Sequence, residues 1–228
     1  MVVIGDAGLL SKQITCSFLS LNATVALLAG STQEINEHYY KSKNTASEKF
    51  IYFLTDPFDY IKCLDILSDL RETFGGIDLV VTTLENFCPQ LDFTNVKLFD
   101  WHSITEHNIK FFLTNRLILT YLKDETSLYV TVGKKHPMCS DNQNTIADLT
   151  ATQRLKAVEI ISSEFTDIKA RYHHLLVDTE NSGEQSNICY GKKTADYIIQ
   201  LYLSDVKEKD SAIKGSVFHN LENYISPL

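Results

Sequence analysis

The sequence predicts an α/β fold: a doubly wound sheet of about seven mostly parallel strands, with helices on both faces, in one domain over 1–228. Three observations carry that reading. Short runs rich in Val, Ile, Leu and Tyr recur without polar alternation, as strands buried on both faces of a parallel sheet require. Helix-length stretches separate these runs, so consecutive strands are joined by crossovers, right-handed by the usual rule. No linker, low-complexity tract or internal repeat interrupts the chain, whose 44% hydrophobic and 22% charged residues are an ordinary globular composition.

The first strand, 2–5, runs from Val2-Val3-Ile4 into Gly5-Asp6-Ala7-Gly8, and a helix over 10–21 follows. Strand, tight turn and helix start, in that order, form the place where a Rossmann-like sheet receives a pyrophosphate on backbone N–H groups. Further strands are expected at 24–29, 50–54 and 78–83, with helices at 32–40 and 58–74 between them. In 58–74, Ile61, Leu64, Ile66, Leu67 and Leu70 recur at three-to-four spacing, and Gly75-Gly76 stops the helix. Asp56, directly before Pro57, is expected to cap it. Helices at 98–122 and 148–169 flank a strand at 127–132. Strands at 172–178 and 216–219 enclose a last helix, 192–205.

Composition narrows the partners. A net charge of −8 argues against nucleic acid or an anionic membrane surface. No apolar run reaches the ~18 residues of a spanning helix, and the start of the chain lacks the basic region of a signal peptide. The five cysteines (Cys16, Cys63, Cys88, Cys139, Cys189) are odd in number and scattered, without a CxxC pair. They read as reduced thiols of a cytoplasmic protein. His173-His174 with Asp178 could be drawn as a zinc set, but a strand edge is the better reading, so no metal is expected. Lys134-Lys135-His136 reads as a solvated loop rather than an anion patch.

With these elements in order, several local signatures resemble the short-chain dehydrogenase/reductase family over essentially the whole chain. "FLTDP" at 53–57 ends the third strand on Asp56, "GGIDLVV" at 75–81 leads into the fourth, and "WHSITEHNIKFFLTNR" at 101–116 matches the family's long interface helix. "LYLSD" at 201–205 and "IKG" at 213–215 resemble the closing helix and its return to the last strand. The resemblance implies a dinucleotide site in which Gly5, Gly8, Ser11, Asp56 and Thr82 are the cofactor-binding positions. It implies a catalytic set of Asn, Ser, Tyr and Lys, of which Asn108 matches and the Tyr and Lys positions fall on Thr150 and Arg154.

The departures fall on the chemistry. The family's TGxxxGxG becomes Ile4-Gly5-Asp6-Ala7-Gly8-Leu9-Leu10-Ser11, so two of three glycines are gone. Leu9 is expected to fill part of the pyrophosphate volume, whereas a small hydroxyl such as Ser11 can still donate to a phosphate. The family's NNAG becomes Thr82-Thr83-Leu84-Glu85, adding a negative charge at Glu85. After the second strand, Ala29-Gly30-Ser31 lacks the acidic residue that grips a ribose 2′-OH, which leaves NADP as the cofactor if any binds. The Ser position falls on Val132 or Gly133. Thr150 has a pKa far above a phenol and too short a reach to be the general acid, Arg154 cannot act as a base, and Lys156 points about 200° away round the helix.

Each residue also has a plainer role. Asn108 is expected to satisfy packing within its helix, and Arg154 to pair with a carboxylate such as Glu106. Three functions follow in order of expectation. The first is a dehydrogenase-like chain without ordinary hydride transfer, acting by binding or assembly and needing no cofactor. The second is an atypical NADP-dependent oxidoreductase whose acid is drawn from Tyr129, Tyr172, His136 or Asp148. The third is an inactive partner subunit of an active homologue. In this family helices equivalent to 98–122 and 148–169 form a four-helix bundle. Ile104, Ile109, Phe112, Leu113 and Leu117, with Leu155, Val158, Ile161 and Phe165, supply an apolar face for such a homo- or hetero-oligomer.

Overall fold

The computed structural model describes residues 1–5, 8–30, 49–57, 59–83, 95–122, 126–135, 150, 153–154, 156–157, 160, 170–178, 184–204 and 217–220. Seven strands form one sheet: β1 (Val2–Ile4), β2 (Val25–Ala29), β3 (Phe50–Leu54), β4 (Leu79–Thr83), β5 (Leu128–Lys135), β6 (Arg171–Asp178) and β7 (Val217–Asn220). Their order is β3-β2-β1-β4-β5-β6-β7, and every neighbouring pair is parallel. The chain therefore winds outward in one direction from β1 and in the other from β4. That reversal places a crevice beyond the carboxyl ends of β1 and β4, where doubly wound sheets bind ligands.

The helices are α1 (Leu9–Ser20), α2 (Tyr60–Phe74), α3 (Leu98–Tyr121) and α4 (Glu184–Ser204), and Thr150, Gln153, Arg154, Lys156, Ala157 and Ile160 are also helical. Side chains of successive strand residues point to opposite faces, which divides the core in two. On one face Ile14 and Phe18 of α1 and Ala195 and Ile198 of α4 pack on Val3, Leu27, Val81 and Val130. On the other, Leu67 and Leu70 of α2 and Leu117 and Ile118 of α3 pack on Ile4, Leu28, Val80 and Tyr129. Each fully buried aliphatic side chain contributes roughly 1.5–3 kcal/mol, so these two layers hold the crevice rigid.

Three elements differ from expectation. Helix α2 starts at Tyr60 and is capped by Asp59, whose carboxylate accepts from the Lys62 N–H at 3.2 Å. Asp56 is not the cap: its carbonyl accepts from the Asp59 N–H at 2.9 Å, closing a turn that holds Pro57 ahead of the helix. At its other end α2 stops as expected, with Gly75 left-handed at φ 74°. Helix α4 begins at Glu184, two turns before the expected start, because Gly191 is accommodated as a buried residue inside it rather than breaking it. Strand β5 continues to Lys135, which pairs with Asp178, so Lys134 and Lys135 belong to the sheet and not to a loop. There β6 continues to offer ladder partners after the apolar run has ended. His173, His174 and Asp178 are residues of β6. The expected helix at 32–40, together with Leu84, Glu85, His136 and Asp148, lies outside the described residues.

Candidate functional site

At the crevice, Gly5 leaves β1 with its N–H donated to the Leu28 carbonyl at 3.1 Å. A Cβ built on Gly5 would lie 2.0 Å from the Thr83 Oγ1 and 3.0 Å from the Thr83 carbonyl oxygen, so glycine is required here by the end of β4 itself. Gly8 is the N-cap residue of α1 and contributes no side-chain cap. Ser11, in the first turn, places its Oγ 2.9 Å from the Thr83 Oγ1, and the two side chains are 0% and 1% exposed. Bonded to each other in the interior, neither hydroxyl is presented at the protein surface.

Thr82 points the other way, as strand alternation demands. Its Oγ1 lies 3.1 Å from the Tyr129 phenol, which also donates to the Asn115 Oδ1 of α3. The Asn115 amide donates to the Phe111 carbonyl at 2.6 Å, and the Tyr172 phenol meets the Thr131 hydroxyl at 2.7 Å. Burial pushes the acidity of both phenols down, their pKa values lying above the ordinary tyrosine value. A phenol tied up in this way is a poor proton donor near neutral pH.

Two of the three expected catalytic positions, Asn108 and Arg154, meet at the α3 side. The Asn108 amide donates to the Gln153 Oε1 at 2.7 Å, and its Oδ1 accepts from the Arg154 Nε at 3.2 Å. Arg154 is only 7% exposed, and its guanidinium carbon lies 5.7 Å from the centre of the Phe111 ring. Thr150, one turn earlier, is buried, whereas Lys156 faces solvent. Glu106 pairs with Lys110 at 2.9 Å, and Arg154 donates to Asn108; Glu106 stands two residues before that amide on α3, so the two side chains do not face the same way. Beside this group, burial and then the Arg154 charge pull the His107 pKa down to about 4, against a smaller upward pull from Asp56 at the end of β3. Among the described residues no group of His, Cys, Asp and Glu is arranged to hold a metal.

Sequence reasoning thus located Gly5, Ser11, Asn108 and Arg154, which the fold brings into two clusters; it named Tyr129 only as a candidate acid and assigned no site role to Thr83, Gln153, Asn115 or His107. Thr83 was legible in principle, because consecutive threonines ending a central strand must face opposite layers. The helical face expected for assembly is only partly available. Ile104 is buried and Leu117 packs in the core formed with the chain's own sheet, as a helix lying on a sheet must bury one stripe, while Ile109 is 55% exposed. The side chains of Leu155, Val158, Ile161 and Phe165 lie outside the described residues.

No family model matches the sequence, and no curated protein matches it. Solved structures do. The chain is similar to a short-chain dehydrogenase/reductase of the glucose/ribitol dehydrogenase type from Brucella melitensis, with 17% identity, a TM-score of 0.74, and coverage of 99% of this chain and 96% of that one. The chain has the short-chain dehydrogenase/reductase fold. A 3-ketoacyl-ACP reductase from Sinorhizobium meliloti (17% identity, TM-score 0.70, 96% of each chain) is a further neighbour. So is a short-chain dehydrogenase from Burkholderia cenocepacia solved with NADP (12% identity, TM-score 0.71, 96% and 95% of the two chains). On this dehydrogenase/reductase fold the Gly5–Ser11–Thr83 cluster lies at the switch-point crevice, and the Asn108–Gln153–Arg154 cluster on the α3 side. No described helix is long and apolar enough to cross a membrane.

Proposed function

We propose that this chain has given up ordinary hydride transfer and acts by binding or assembly, as a protein with a reductase fold but without a reductase's site. One observation carries the reading. The residues at the family's catalytic Asn and Lys positions, Asn108 and Arg154, are bonded to each other and to Gln153. A guanidinium cannot serve as a base near neutral pH, and the threonine at the Tyr position is buried and far too weak an acid. The Ser11 and Thr83 hydroxyls behind the β1 turn are buried and bonded to each other, so neither is presented to a phosphate, and we derive no step through a dinucleotide. Exposed Leu98, Phe99 and Ile109 on α3 and the exposed Ile160 support assembly, either with a second copy or with a homologous chain.

An atypical NADP-dependent reductase is the second reading, supported by neighbours solved with NADP. A titration of the purified chain with NADPH and NADH, read by cofactor fluorescence and thermal shift, separates the two. No response at millimolar cofactor is the expected result. Micromolar affinity, or turnover of NADPH with a ketone, aldehyde or acyl thioester, would sink the first reading and establish the second.

A further inference from the structure

Two residues of α3 hold Arg154. Its Nε donates to the Asn108 Oδ1 at 3.2 Å, and its guanidinium carbon lies 5.7 Å from the centre of the Phe111 ring. Asn108 and Phe111 are three positions apart and so share one face of the helix. Asn115, one turn beyond Phe111, continues that face and is buried. Its Nδ2 donates to the Phe111 carbonyl at 2.6 Å, and its Oδ1 accepts from the Tyr129 phenol of β5. The same phenol meets the Thr82 hydroxyl near the carboxyl end of β4 at 3.1 Å. Around this line the layer is apolar, with Leu117 and Ile118 of α3 packed on Ile4 and Val80. Apolar packing is non-directional, whereas a hydrogen bond weakens steeply with angle. The phenol therefore sets the rotation and height of α3 on the sheet more sharply than its apolar neighbours do. It acts on the face that carries Arg154.

We propose that Tyr129 is a positioning residue: through Asn115 and Phe111 it sets where α3 holds Arg154, and it ties that group to the β4 end of the crevice. A buried phenol with no part as an acid thus has a conformational role. That role is the same whether or not the chain reduces a substrate. It also accounts for a buried asparagine in the middle of a long helix, where an apolar residue would pack at less cost. The Asn115 amide spends its acceptor on the sheet and its donor on the turn that carries the Phe111 ring.

The test follows the Arg154 Nε–H signal of the isotope-labelled full chain by NMR, identified by its loss in Arg154→Lys, and measures its exchange with water. In Tyr129→Phe that exchange should be at least about tenfold faster, the size expected when one buried hydrogen bond is lost. Tyr172→Phe is the control. It removes the phenol oxygen that meets Thr131 and keeps the ring that packs edge-on against Tyr129, so the Arg154 rate should stay within about twofold of the parent. Tyr129→Phe/Asn115→Leu removes the stranded acceptor and should melt higher than Tyr129→Phe, but it still lacks the bond to the Phe111 carbonyl. Its Arg154 exchange should therefore remain fast. The Asn108 Nδ2 signals, visible whatever the arginine rate, should shift in both Tyr129 variants and not in Tyr172→Phe. Exchange that simply tracks melting temperature across the three variants overturns the proposal, as do unchanged Arg154 and Asn108 signals in Tyr129→Phe. Where Tyr129→Phe does not fold, the double variant decides alone.

Discussion

Thr82 and Thr83 are neighbours at the end of β4, yet they serve environments of different kinds. Thr83 turns toward α1 and ends against Gly5 and Ser11, where even one added carbon has no space. Thr82 turns toward α3 and enters a chain of hydrogen bonds through Tyr129 and Asn115 to the Phe111 carbonyl. Farther out on that side, Asn108, Gln153 and Arg154 meet in a group that reaches solvent. The α1 side is set by steric fit and the α3 side by polar satisfaction that weakens toward the surface. A perturbation should therefore cost most at Gly5, less at Tyr129 and least around His107.

The largest effect is expected for Gly5→Ala. The new methyl group would meet the Thr83 Oγ1 at 2.0 Å, and part of the obstacle is the β4 backbone, which cannot rotate away. Overpacking of this kind costs about 3 kcal/mol, or roughly 6–12 °C in melting temperature for a chain of this length. Thr83→Ala in the same chain removes the side-chain part of the clash and should recover some of the loss. If Gly5→Ala melts within experimental error of the parent, the α1 side is not the steric limit described here.

Tyr129→Phe probes the other environment without creating a clash. It removes one oxygen and leaves the Asn115 Oδ1 and the Thr82 hydroxyl without that partner in the dry interior. The expected loss is about 1–3 kcal/mol in denaturant unfolding, the usual penalty for an orphaned buried group. Pairing it with Asn115→Leu removes the stranded acceptor and should return part of the stability. A Tyr129→Phe chain as stable as the parent would show that the network adds nothing beyond packing.

These contrasts also explain what the sequence disclosed and what it withheld. The continuous apolar runs of β1, β2 and β4 are legible because strands covered on both faces have no solvent side to alternate with, and the parallel order follows from the helices between them. Asn108 and Arg154 are legible as a pair through their resemblance to family positions. Their direct bond is not, because it depends on where α3 lies relative to helical residues some forty positions later in the chain. Asp59 was passed over in favour of Asp56 because Asp before Pro is a good local signal, while the cap is decided by which carboxylate reaches the Lys62 N–H. Helix α4 begins at Glu184, ahead of the expected 192, with Gly191 inside it. Asn115 reads as an ordinary helix residue, and Tyr129 as a strand residue offered only as a candidate acid. Only the packing of α3 on β5 makes them polar partners.

The smallest effect, and the one that tests the graded character of the α3 side, is the response to pH. His107 is half-buried beside Arg154, and both influences favour its neutral form, giving a folded pKa of about 4 against an ordinary 6.5. Above pH 6.5 neither the folded nor the unfolded chain protonates it, so it has no effect. As the pH falls from 6.5 toward 4, the unfolded chain takes up a proton that the folded chain refuses, and stability declines; below 4 both are protonated and the decline stops. Because the imidazole is partly solvated, the loss is on the order of 1 kcal/mol rather than the full value of the shift. Other carboxylates titrate over the same range, so the informative quantity is the difference between the parent and His107→Gln in melting curves taken from pH 7.5 to 4. The parent should lose a few degrees more than the variant, almost all of it between pH 6.5 and 4. Parallel curves would place His107 in ordinary solvent and remove the electrostatic coupling between α3 and the helical residues around Arg154.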